Sequence, residues 1–201
     1  MNNVRIFALP GIREARTEVI RKTIHFLIAL SPMMAAFNKN ITIVLLGTGV
    51  LLYSLFEVMR LAGIRVPLIS KLTYAASRPR DNGQFVMGPV TLGMGAMLSF
   101  IFFQPVVAAV AVYALAFGDG FASLIGRLFG RMRPGFLYGK SVEGSLACFA
   151  AVYFSAVCVL GNPLIALAAA LAASVTEALP LKDYDNIALP LMVGMTVIIL
   201  L

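Results

Sequence analysis

The chain is poor in charge: only 12% of its 201 residues are Asp, Glu, Lys or Arg, whereas 60% are hydrophobic. A soluble domain carries about twice that share of charged residues. The mean hydropathy is +0.93, and apolar stretches recur along the whole sequence. These features exclude a soluble domain with a single anchor, and we predict an all-α fold, a multi-pass transmembrane helical bundle.

Histidine and cysteine are also scarce. The only histidine is His25, which excludes a zinc site built on histidines and a Ser-His-Asp triad. Cys148 and Cys158 lie in an apolar segment at a spacing that does not suit metal ligands, so we interpret them as packing residues. Residues 1–22 have no apolar core and no small-residue cleavage site, and no cleavable signal peptide is expected.

Polar breaks divide the chain into about seven predicted spans within a single integral membrane domain, 1–201. A basic N-terminal segment, 1–22, precedes them. The predicted spans are 23–37, 41–63, 87–103, 105–128, 144–160, 163–179 and 187–201. Several are short for a bilayer crossing and are expected to rely on tilt or on neighbouring helices.

The charges of this sequence are distributed unevenly between the two sides of the predicted bundle. With seven spans, every Lys and Arg except Lys39 falls on one side. The positive-inside rule predicts that this side and the N-terminus are cytoplasmic, with the C-terminus outside. The acidic residues gather on the same side, and Glu57, Asp119 and Glu177 lie within spans. Ordinary topology does not account for carboxylates inside a span.

Asp119 is the most informative residue, because it lies inside a predicted span between Gly118 and Gly120, which loosen the backbone there. An ionisable group in hydrocarbon usually faces a polar cavity or an ion, although a buried structural ion pair is the alternative. A spacing of four residues places Asp119, Ser123, Arg127 and Arg131 on one helical stripe. Beside it, the small residues Ala122, Gly126 and Gly130 allow close approach of another helix.

A second motif runs from Gly139 through Lys140 and Ser141 to Ser145. Glycine, lysine and serine before a helix favour an anion cradle made of backbone N–H groups and one positive charge. The spacing of the glycines is not that of a P-loop. The structural alternative is a helix start capped by Ser141 or Ser145.

Three further groups of polar residues border the predicted spans. Glu177, Asp183 and Asp185 lie within nine residues and suggest cation binding. Pro180 is a helix stop and Asn186 a helix N-cap. Glu57 and Arg60 are three residues apart and predict an intrahelical ion pair. Arg21, Lys22 and His25 lie at the start of the first span, where His25 is either structural or a phosphate contact.

In their order along the chain, these motifs resemble the polyprenol kinase family, which includes dolichol kinase, phytol kinase and the CTP-dependent diacylglycerol kinase. The resemblance covers about residues 21–190. Its motifs are Arg21 to His25, Glu57 to Arg60, Gly118 to Arg127, Gly139 to Ser145 and Glu177 to Asn186. The resemblance implies a multi-pass enzyme that transfers the γ-phosphate of a nucleotide, typically CTP, to the hydroxyl of a lipid alcohol with Mg²⁺. It also implies an active site that faces the cytoplasm, in a bacterial inner membrane, and no nucleic-acid partner.

The resemblance also implies residue roles. Asp119 and Glu143 would hold the metal or act as general base, and Lys140 would contact the nucleotide phosphates in the catalytic site. Glu177 and Asp185 would be further metal ligands. The nucleotide site would also include Arg21, Lys22, His25, Ser123, Arg127, Ser141 and Asn186, supported by Glu57, Arg60, Gly118, Gly120, Gly139 and Gly144.

Two other functions stay open from the sequence. A phosphatidate cytidylyltransferase uses CTP at the same membrane surface but transfers a nucleotidyl group. A small cation-coupled carrier would use the intramembrane carboxylates for transport. Such a carrier is expected to have polar groups near mid-membrane and along both routes of access, whereas the outer half of each predicted span is nearly bare of them.

Overall fold

The computed structural model describes residues 12–64 and 83–201, with side chains from residue 17 onward. In these ranges the chain is α-helical and has no strand, so the predicted all-α membrane fold is confirmed. The helices are α1 Ile12–Phe26, α2 Ser31–Phe37, α3 Lys39–Leu61, α4 Gly88–Phe102, α5 Pro105–Tyr113, α6 Gly120–Leu128, α7 Val142–Leu160, α8 Pro163–Ala178 and α9 Asp185–Leu200. A 3₁₀ turn, Leu27–Leu30, joins α1 to α2, and a π-helix, Ala114–Asp119, joins α5 to α6.

Each of the seven predicted spans is helical in the structure. Within the described residues, five continuous helical segments are long and apolar enough to cross a membrane. They are Thr17–Phe37, Lys39–Leu61, Pro105–Leu128, Val142–Leu160 and Lys182–Leu200. Gly88–Phe102 and Pro163–Ala178 are shorter apolar helices. The span count of seven and the orientation stay predictions.

The first helix begins at Ile12, well before the predicted start of the first span at residue 23. The sequence before residue 23 is too polar to be recognised as part of a span. In the folded chain, however, Glu18, Lys22 and His25 are buried against the rest of the bundle. Tertiary contacts therefore stabilise a helix whose polar face points inward.

Local sequence explains most of the observed helix ends. The side chains of Asn38, Ser141 and Asn162 accept hydrogen bonds from the first turns of α3, α7 and α8 at about 3.0–3.1 Å. Proline occupies the first turn of several helices, where its missing N–H costs no hydrogen bond. The helix α8 ends at Ala178, just before Pro180, as predicted.

Asn186 is not the N-cap that the sequence predicts. The helix α9 begins one residue earlier, at Asp185, so Asn186 lies within the first turn. Its amide instead donates to the Thr91 hydroxyl at 3.0 Å and lies 3.4 Å from the Gly88 carbonyl oxygen. At Gly95, a Cβ atom would overlap the Asn186 carbonyl oxygen, so α4 and α9 approach too closely there for any larger residue.

The segment formed by α5, the π-helix and α6 is the most deeply buried of the candidate spans, and α3 is the least buried. Alanine supplies much of the core on α5 and α8, including Ala108, Ala111, Ala166, Ala169 and Ala173. Small residues allow transmembrane helices to approach closely and gain packing contacts. The central segment is therefore surrounded by its neighbours, and α3 faces mostly outward.

The loop before α7, the end of α8 and the start of α9 meet at one end of the bundle. There, Lys140 on the loop before α7 reaches Glu177 at the end of α8 and Asp185 at the start of α9. Lys39 lies at the opposite end, where its ammonium is 3.4 Å from the Phe103 carbonyl oxygen. This arrangement agrees with the predicted separation of charge. Several basic residues of the prediction lie outside the described side chains: Arg5, Arg13, Arg16, Arg65, Lys71, Arg78 and Arg80.

Candidate functional site

Asp119 is buried at the end of the π-helix, and its carboxylate faces α1. The Lys22 ammonium donates to Asp119 Oδ2, and His25 Nε2 lies 3.3 Å from the same oxygen. The Ser123 hydroxyl donates to Oδ1 at 3.4 Å, one turn further along α6. Lys22 is only 1% exposed and Asp119 only 5%, so this is an ion pair inside the bundle. The sequence predicted these four residues as site residues, and the structure brings them together.

His25 has one ring nitrogen between two acceptors. Its Nε2 lies 2.9 Å from the Leu115 carbonyl oxygen as well as 3.3 Å from the Asp119 carboxylate. Because both neighbours accept hydrogen bonds, Nε2 must carry the proton. Within this structure His25 therefore orients Asp119, rather than binding a cation through that nitrogen.

The π-helix and its glycines set the position of the carboxylate. π-Helical turns are rare and occur frequently at functional sites. The sequence predicted that Gly118 and Gly120 loosen the backbone, and the structure adds a packing reason. A Cβ atom on Gly120 would overlap the Phe26 ring, and one on Gly118 would approach the Val152 side chain. The absence of side chains here lets α1 and α7 pack directly against the segment that carries Asp119.

Glu18 belongs to this cluster, although the sequence did not single it out as a site residue. It is 1% exposed, accepts a hydrogen bond from Arg21 at 2.5 Å, and lies 3.6 Å from the Nε atom of Arg127. The signal was present in the spacing, because Glu18, Lys22 and His25 recur at the interval of one helical face. Arg21 and Arg127, both predicted site residues, thus meet the cluster through Glu18.

A second cluster joins α7, α8 and α9. The Lys140 ammonium donates to the carbonyl oxygen of Glu177, lies 3.0 Å from its carboxylate and 4.0 Å from that of Asp185. The Ser145 hydroxyl donates to the other Glu177 oxygen at 3.2 Å. The structure therefore brings together Lys140, Glu177 and Asp185, as the sequence predicted.

Considered together, the two clusters make up the paired charges at this end of the bundle, and we call them the charged unit. This unit contains four carboxylates and four cations, so its charges cancel. The unit comprises the carboxylates Glu18, Asp119, Glu177 and Asp185 and the cations Arg21, Lys22, Arg127 and Lys140. Pairing of this kind is what allows charges to persist in an apolar bundle.

The structure places Glu143 differently from the sequence-based expectation of a metal ligand or base. Its carboxylate accepts hydrogen bonds from the backbone N–H groups of Arg131 and Met132 at 3.0 and 3.2 Å. Arg133 holds the same loop by donating to the carbonyl oxygens of Gly139 and Gly126. A carboxylate in the first turn of a helix naturally faces backbone donors of the preceding loop, and Glu143 thus stabilises the loop that leads to Lys140.

The Gly139–Ser141 turn combines both readings of the sequence. Gly139 has φ = 90°, in the left-handed region that favours glycine, and Lys140 follows it. Ser141 caps α7, which confirms the structural alternative for this residue, whereas Ser145 bonds Glu177 and is not a cap. Both readings are compatible, because the cap holds the turn while the Lys140 ammonium extends into the second cluster.

The small-residue stripe on α6 does allow close approach of another helix. A Cβ on Gly144 would meet the Ala122 carbonyl oxygen at 2.7 Å and the Gly126 Cα at 3.1 Å. The predicted polar stripe, however, does not extend to Arg131. The helix α6 ends at Leu128, so Arg131 lies in the following loop and off the helical face.

Glu57 and Arg60 form the predicted intrahelical pair, with two contacts of 2.8 Å. Glu57 also accepts from the Val86 N–H at 2.9 Å, and Arg60 donates to the Gln84 carbonyl oxygen at 2.9 Å. This pair therefore fixes the segment that leads into α4. Its role is structural support, in agreement with the sequence-based prediction.

The described residues contain no group of three or more His, Cys, Asp or Glu side chains close enough to hold a metal ion together. The predicted metal ligands are instead distributed between the two clusters and the loop. Mg²⁺ is usually held by one or two carboxylates together with substrate phosphates and water, so it needs no such cage. Asp119 and Asp185 each present one carboxylate, and carboxylate oxygens are ligands of the kind that Mg²⁺ accepts.

Fold and site together define an all-α integral membrane protein with a buried, charge-paired polar site at one end of its bundle. No family model and no solved structure matches the chain. A probable phytol kinase 1 of the chloroplast from Oryza sativa is 31% identical over 150 residues, which cover 64% of this chain and 47% of that protein. The CTP-dependent diacylglycerol kinase 1 of Eremothecium gossypii is 41% identical over 56 residues, 28% of this chain and 18% of that protein.

The matches thus span about half or less of the length of these curated relatives. Both relatives are named as lipid kinases, and both names fall within the family that the motifs predicted. The resemblance to the polyprenol kinase family is therefore confirmed.

Proposed function

We propose that this protein is a phosphotransferase that uses CTP to phosphorylate the hydroxyl of a lipid alcohol, of the polyprenol, phytol or diacylglycerol type. Its site would open to the cytoplasm, in a bacterial inner membrane. The observation that carries the proposal is the buried Asp119 carboxylate, held by Lys22 and His25 beside the Lys140 cluster. The names of the two relatives support the reaction class.

The paired charges suggest how the site accepts a nucleotide. Phosphoryl transfer depends on positioning and on neutralisation of phosphate charge. Lys22 and Lys140 now neutralise carboxylates, and phosphate oxygens can take the place of those carboxylates. Arg21 and Arg127, which are partly exposed at the rim, add positive charge for the phosphates. Nucleotide binding would therefore free Asp119 and Asp185 from their lysines.

The freed Asp119 carboxylate is placed to act as general base. It takes the proton of the lipid hydroxyl, whose oxygen forms a bond to the γ-phosphorus. The bond from that phosphorus to the bridging oxygen breaks, and CDP leaves with the electron pair. Asp119 then releases its proton to water. His25 and Ser123 hold the carboxylate in position during the step.

Asp119 and Asp185 are the residues that would hold Mg²⁺ when it arrives with the nucleotide. When bound, the ion would neutralise charge on the transferred phosphate and the leaving group. Glu177 is bonded to Lys140 and Ser145 and would orient Lys140. Glu143 serves the loop, so we assign it no part in the chemistry.

The experiment that tests the proposal uses purified protein in lipid vesicles with CTP labelled in either the γ- or the α-phosphate. Transfer of the γ-label to phytol or diacylglycerol is the expected result. Transfer of the α-label to phosphatidate would instead identify a cytidylyltransferase. Neither transfer, together with cation-dependent solute uptake into the vesicles, would favour the carrier.

Asp119→Asn keeps the size of the side chain but removes the base. We expect phosphorylation to fall by about 100-fold or more, the usual contribution of general base catalysis. The variant should elute from size exclusion like the parent protein. Lys39→Gln, at the opposite end of the bundle, is the control and should keep the parental activity. Near-parental turnover by Asp119→Asn would contradict the assigned site.

A further inference from the structure

Glu18 is a buried carboxylate to which the proposed reaction assigns no role. It is 1% exposed and lies one helical turn before Lys22 on α1. Its Oε1 atom accepts a hydrogen bond from Arg21 at 2.5 Å, and its Oε2 atom lies 3.6 Å from the Nε atom of Arg127 on α6. The two oxygens of one carboxylate therefore hold two guanidinium groups from different helices. We call Glu18, Arg21 and Arg127 the arginine site.

The arginine site has more positive than negative charge among the described side chains. Two guanidinium groups face the carboxylate of Glu18. In the second cluster the balance is reversed, because the carboxylates of Glu177 and Asp185 face the ammonium of Lys140. The charged unit is therefore neutral as a whole but uneven within. An anionic ligand is favoured at the arginine site, and a cation is favoured at the second cluster.

One hydrogen-bond donor of the arginine site lacks an acceptor. The Nε atom of Arg21 is buried, and it makes no hydrogen bond within the part of the chain that the structure describes. Because nearly all buried polar groups in proteins are hydrogen-bonded, this N–H group indicates an acceptor that the described residues do not supply. The side chains of Arg21 and Arg127 are 24% and 36% exposed, so a ligand can reach part of each guanidinium. Phosphate oxygens match the planar set of donors that arginine presents.

The ion pairs between α1 and α6 show on which side of Asp119 the arginine site lies. Lys22 pairs with Asp119. Glu18, four residues before Lys22, pairs with Arg127, eight residues after Asp119. The two helices are therefore antiparallel, and the arginine site lies toward the beginning of α1 and the end of α6, about 6 Å from Lys22 and about 12 Å from Asp119 along the helix axes. A nucleotide whose γ-phosphate lies at Asp119, and which enters from this end, would place its other phosphates at the arginine site.

We infer that the arginine site binds the phosphates of the leaving nucleoside diphosphate, and that Glu18 is the residue that positions its two guanidinium groups. This inference rests on the proposed function and adds to it a positioning residue and a place for these phosphates. Arg21 and Arg127 contact the ligand, whereas Glu18 acts through them. When the bond from the γ-phosphorus to the bridging oxygen breaks, the electron pair stays on the β-phosphate, and the arginine site neutralises the charge that develops there.

The first test measures the dissociation constants of CDP and CTP for purified protein in detergent, by titration calorimetry with MgCl₂ in the buffer. Glu18→Asp keeps the negative charge but withdraws the carboxylate from both arginines. We expect both dissociation constants to rise about tenfold, the size of effect of losing one charge-assisted hydrogen bond. Glu18→Gln keeps the length of the side chain but replaces one accepting oxygen by an amide that donates. It should weaken the binding of both nucleotides as well.

Two results would overturn the inference. If Glu18 only balanced charge, Glu18→Asp would bind both nucleotides like the parent protein, and Glu18→Gln would bind them more tightly. If the arginine site held the transferred phosphate, the affinity for CTP would fall while the affinity for CDP stayed the same.

Glu57→Asp is the matched control, because Glu57 is also buried and pairs with an arginine three residues later on its helix. This variant shortens the same kind of ion pair on the peripheral helix α3, and it should leave both dissociation constants unchanged. Thermal unfolding of each variant in detergent shows whether it is folded.

Arg127→Lys keeps the charge of a partly exposed side chain but removes the planar donors, and it should also weaken the binding of CDP. Because Glu18 acts through Arg127, the loss in Glu18→Asp/Arg127→Lys should be smaller than the product of the two single fold-changes. Fully multiplicative losses would show that Glu18 does not position Arg127.

Kinetics separates the positioning role from a general loss of structure. With a lipid alcohol that accepts phosphate, Glu18→Asp should raise the KM for CTP about tenfold. The KM for the alcohol should stay the same, because the alcohol does not contact the arginine site. An equal rise in both KM values would contradict the inference.

The two proposals fail in different ways. If the Glu18 variants lose affinity for CDP and CTP as expected but no lipid alcohol accepts phosphate, the inference stands and the kinase assignment falls. If a lipid alcohol is phosphorylated while the Glu18 variants bind CDP like the parent protein, the kinase stands and the inference falls. Absence of any nucleotide binding by the parent protein would overturn both.

Discussion

Lys22 is a fully buried lysine whose ammonium meets a buried carboxylate. Pairs of this kind are sensitive to loss of one partner, because the remaining charge is left uncompensated in an apolar region. The same contact places Lys22 beside the proposed phosphate position. The contribution of Lys22 to stability can therefore be separated from its contribution to activity only by changing Lys22 alone and together with Asp119.

Lys22→Met should lower the free energy of unfolding by about 3–5 kcal/mol, because Asp119 then lacks its cation. Adding Asp119→Asn should recover most of that loss, since the double variant buries no unpaired charge at this site. Neither variant should phosphorylate lipid. Thermal unfolding in detergent, followed by circular dichroism, measures the stabilities.

Lys39→Met provides the control, since Lys39 lies at the far end of the bundle. If the double variant were no more stable than Lys22→Met alone, the ion pair would not be the source of the effect.

Charges inside apolar segments could be recognised from the sequence, so Asp119 and Glu177 were found there. Lys22 and Lys140 were found from the motifs that precede two of the spans. Glu18 was not found, because it precedes the apolar part of the first span and looks like an ordinary surface residue. Glu143 was given a chemical role because a sequence does not show where a side chain in the first turn of a helix points. Here the backbone N–H groups of a preceding loop attract it.

At the scale of elements, the π-helix decides where Asp119 lies. The sequence predicts a continuous span for 105–128, and no residue pattern in it indicates six residues of π-helix. This geometry depends on tertiary packing, above all on the close contacts that Gly118 and Gly120 allow with α7 and α1. The span itself was predictable from hydropathy, but this departure from α-helical geometry was not.

Gly118→Ala places a methyl group against Val152, whose nearest methyl would lie 2.7 Å away. We expect a loss of about 1–3 kcal/mol in unfolding free energy, typical of overpacking, and reduced phosphorylation because Asp119 shifts. Val152→Ala in the same chain removes the obstructing methyl groups and should restore both.

Gly135→Ala is the matched control, because a Cβ there meets nothing within 4 Å. Failure of Val152→Ala to rescue the variant would show that the strain lies elsewhere. The free energy of unfolding and the rate of lipid phosphorylation are measured on the same preparations, so that a loss of stability can be told apart from a loss of activity.

On the scale of the whole molecule, the alternating helix ends gather the charges at one end. The positive-inside rule predicts that this end is cytoplasmic. Hydropathy was sufficient to predict that each of the seven stretches is helical. Hydropathy and charge did not predict which helices lie at the centre of the bundle. The segment 105–128 is central and 39–61 is peripheral, although the two are similarly apolar.

The orientation can be tested with single cysteines in a chain lacking Cys148 and Cys158. Gln104→Cys marks the end near Lys39, and Met132→Cys marks the opposite loop, and both positions are exposed. A membrane-impermeant thiol reagent on intact bacteria should label position 104. Position 132 should react only after permeabilisation, and the reverse pattern would contradict the predicted topology.

Because the eight charges of the two clusters are balanced in pairs, the site itself produces little electric field at long range. Attraction of a distant anionic nucleotide must come from exposed cations around the rim, such as Arg131 and Lys182. Ions in solution screen such exposed charges far more than those enclosed in the bundle. We therefore expect ionic strength to change the association rate of the nucleotide and to have little effect on the reaction of the bound nucleotide.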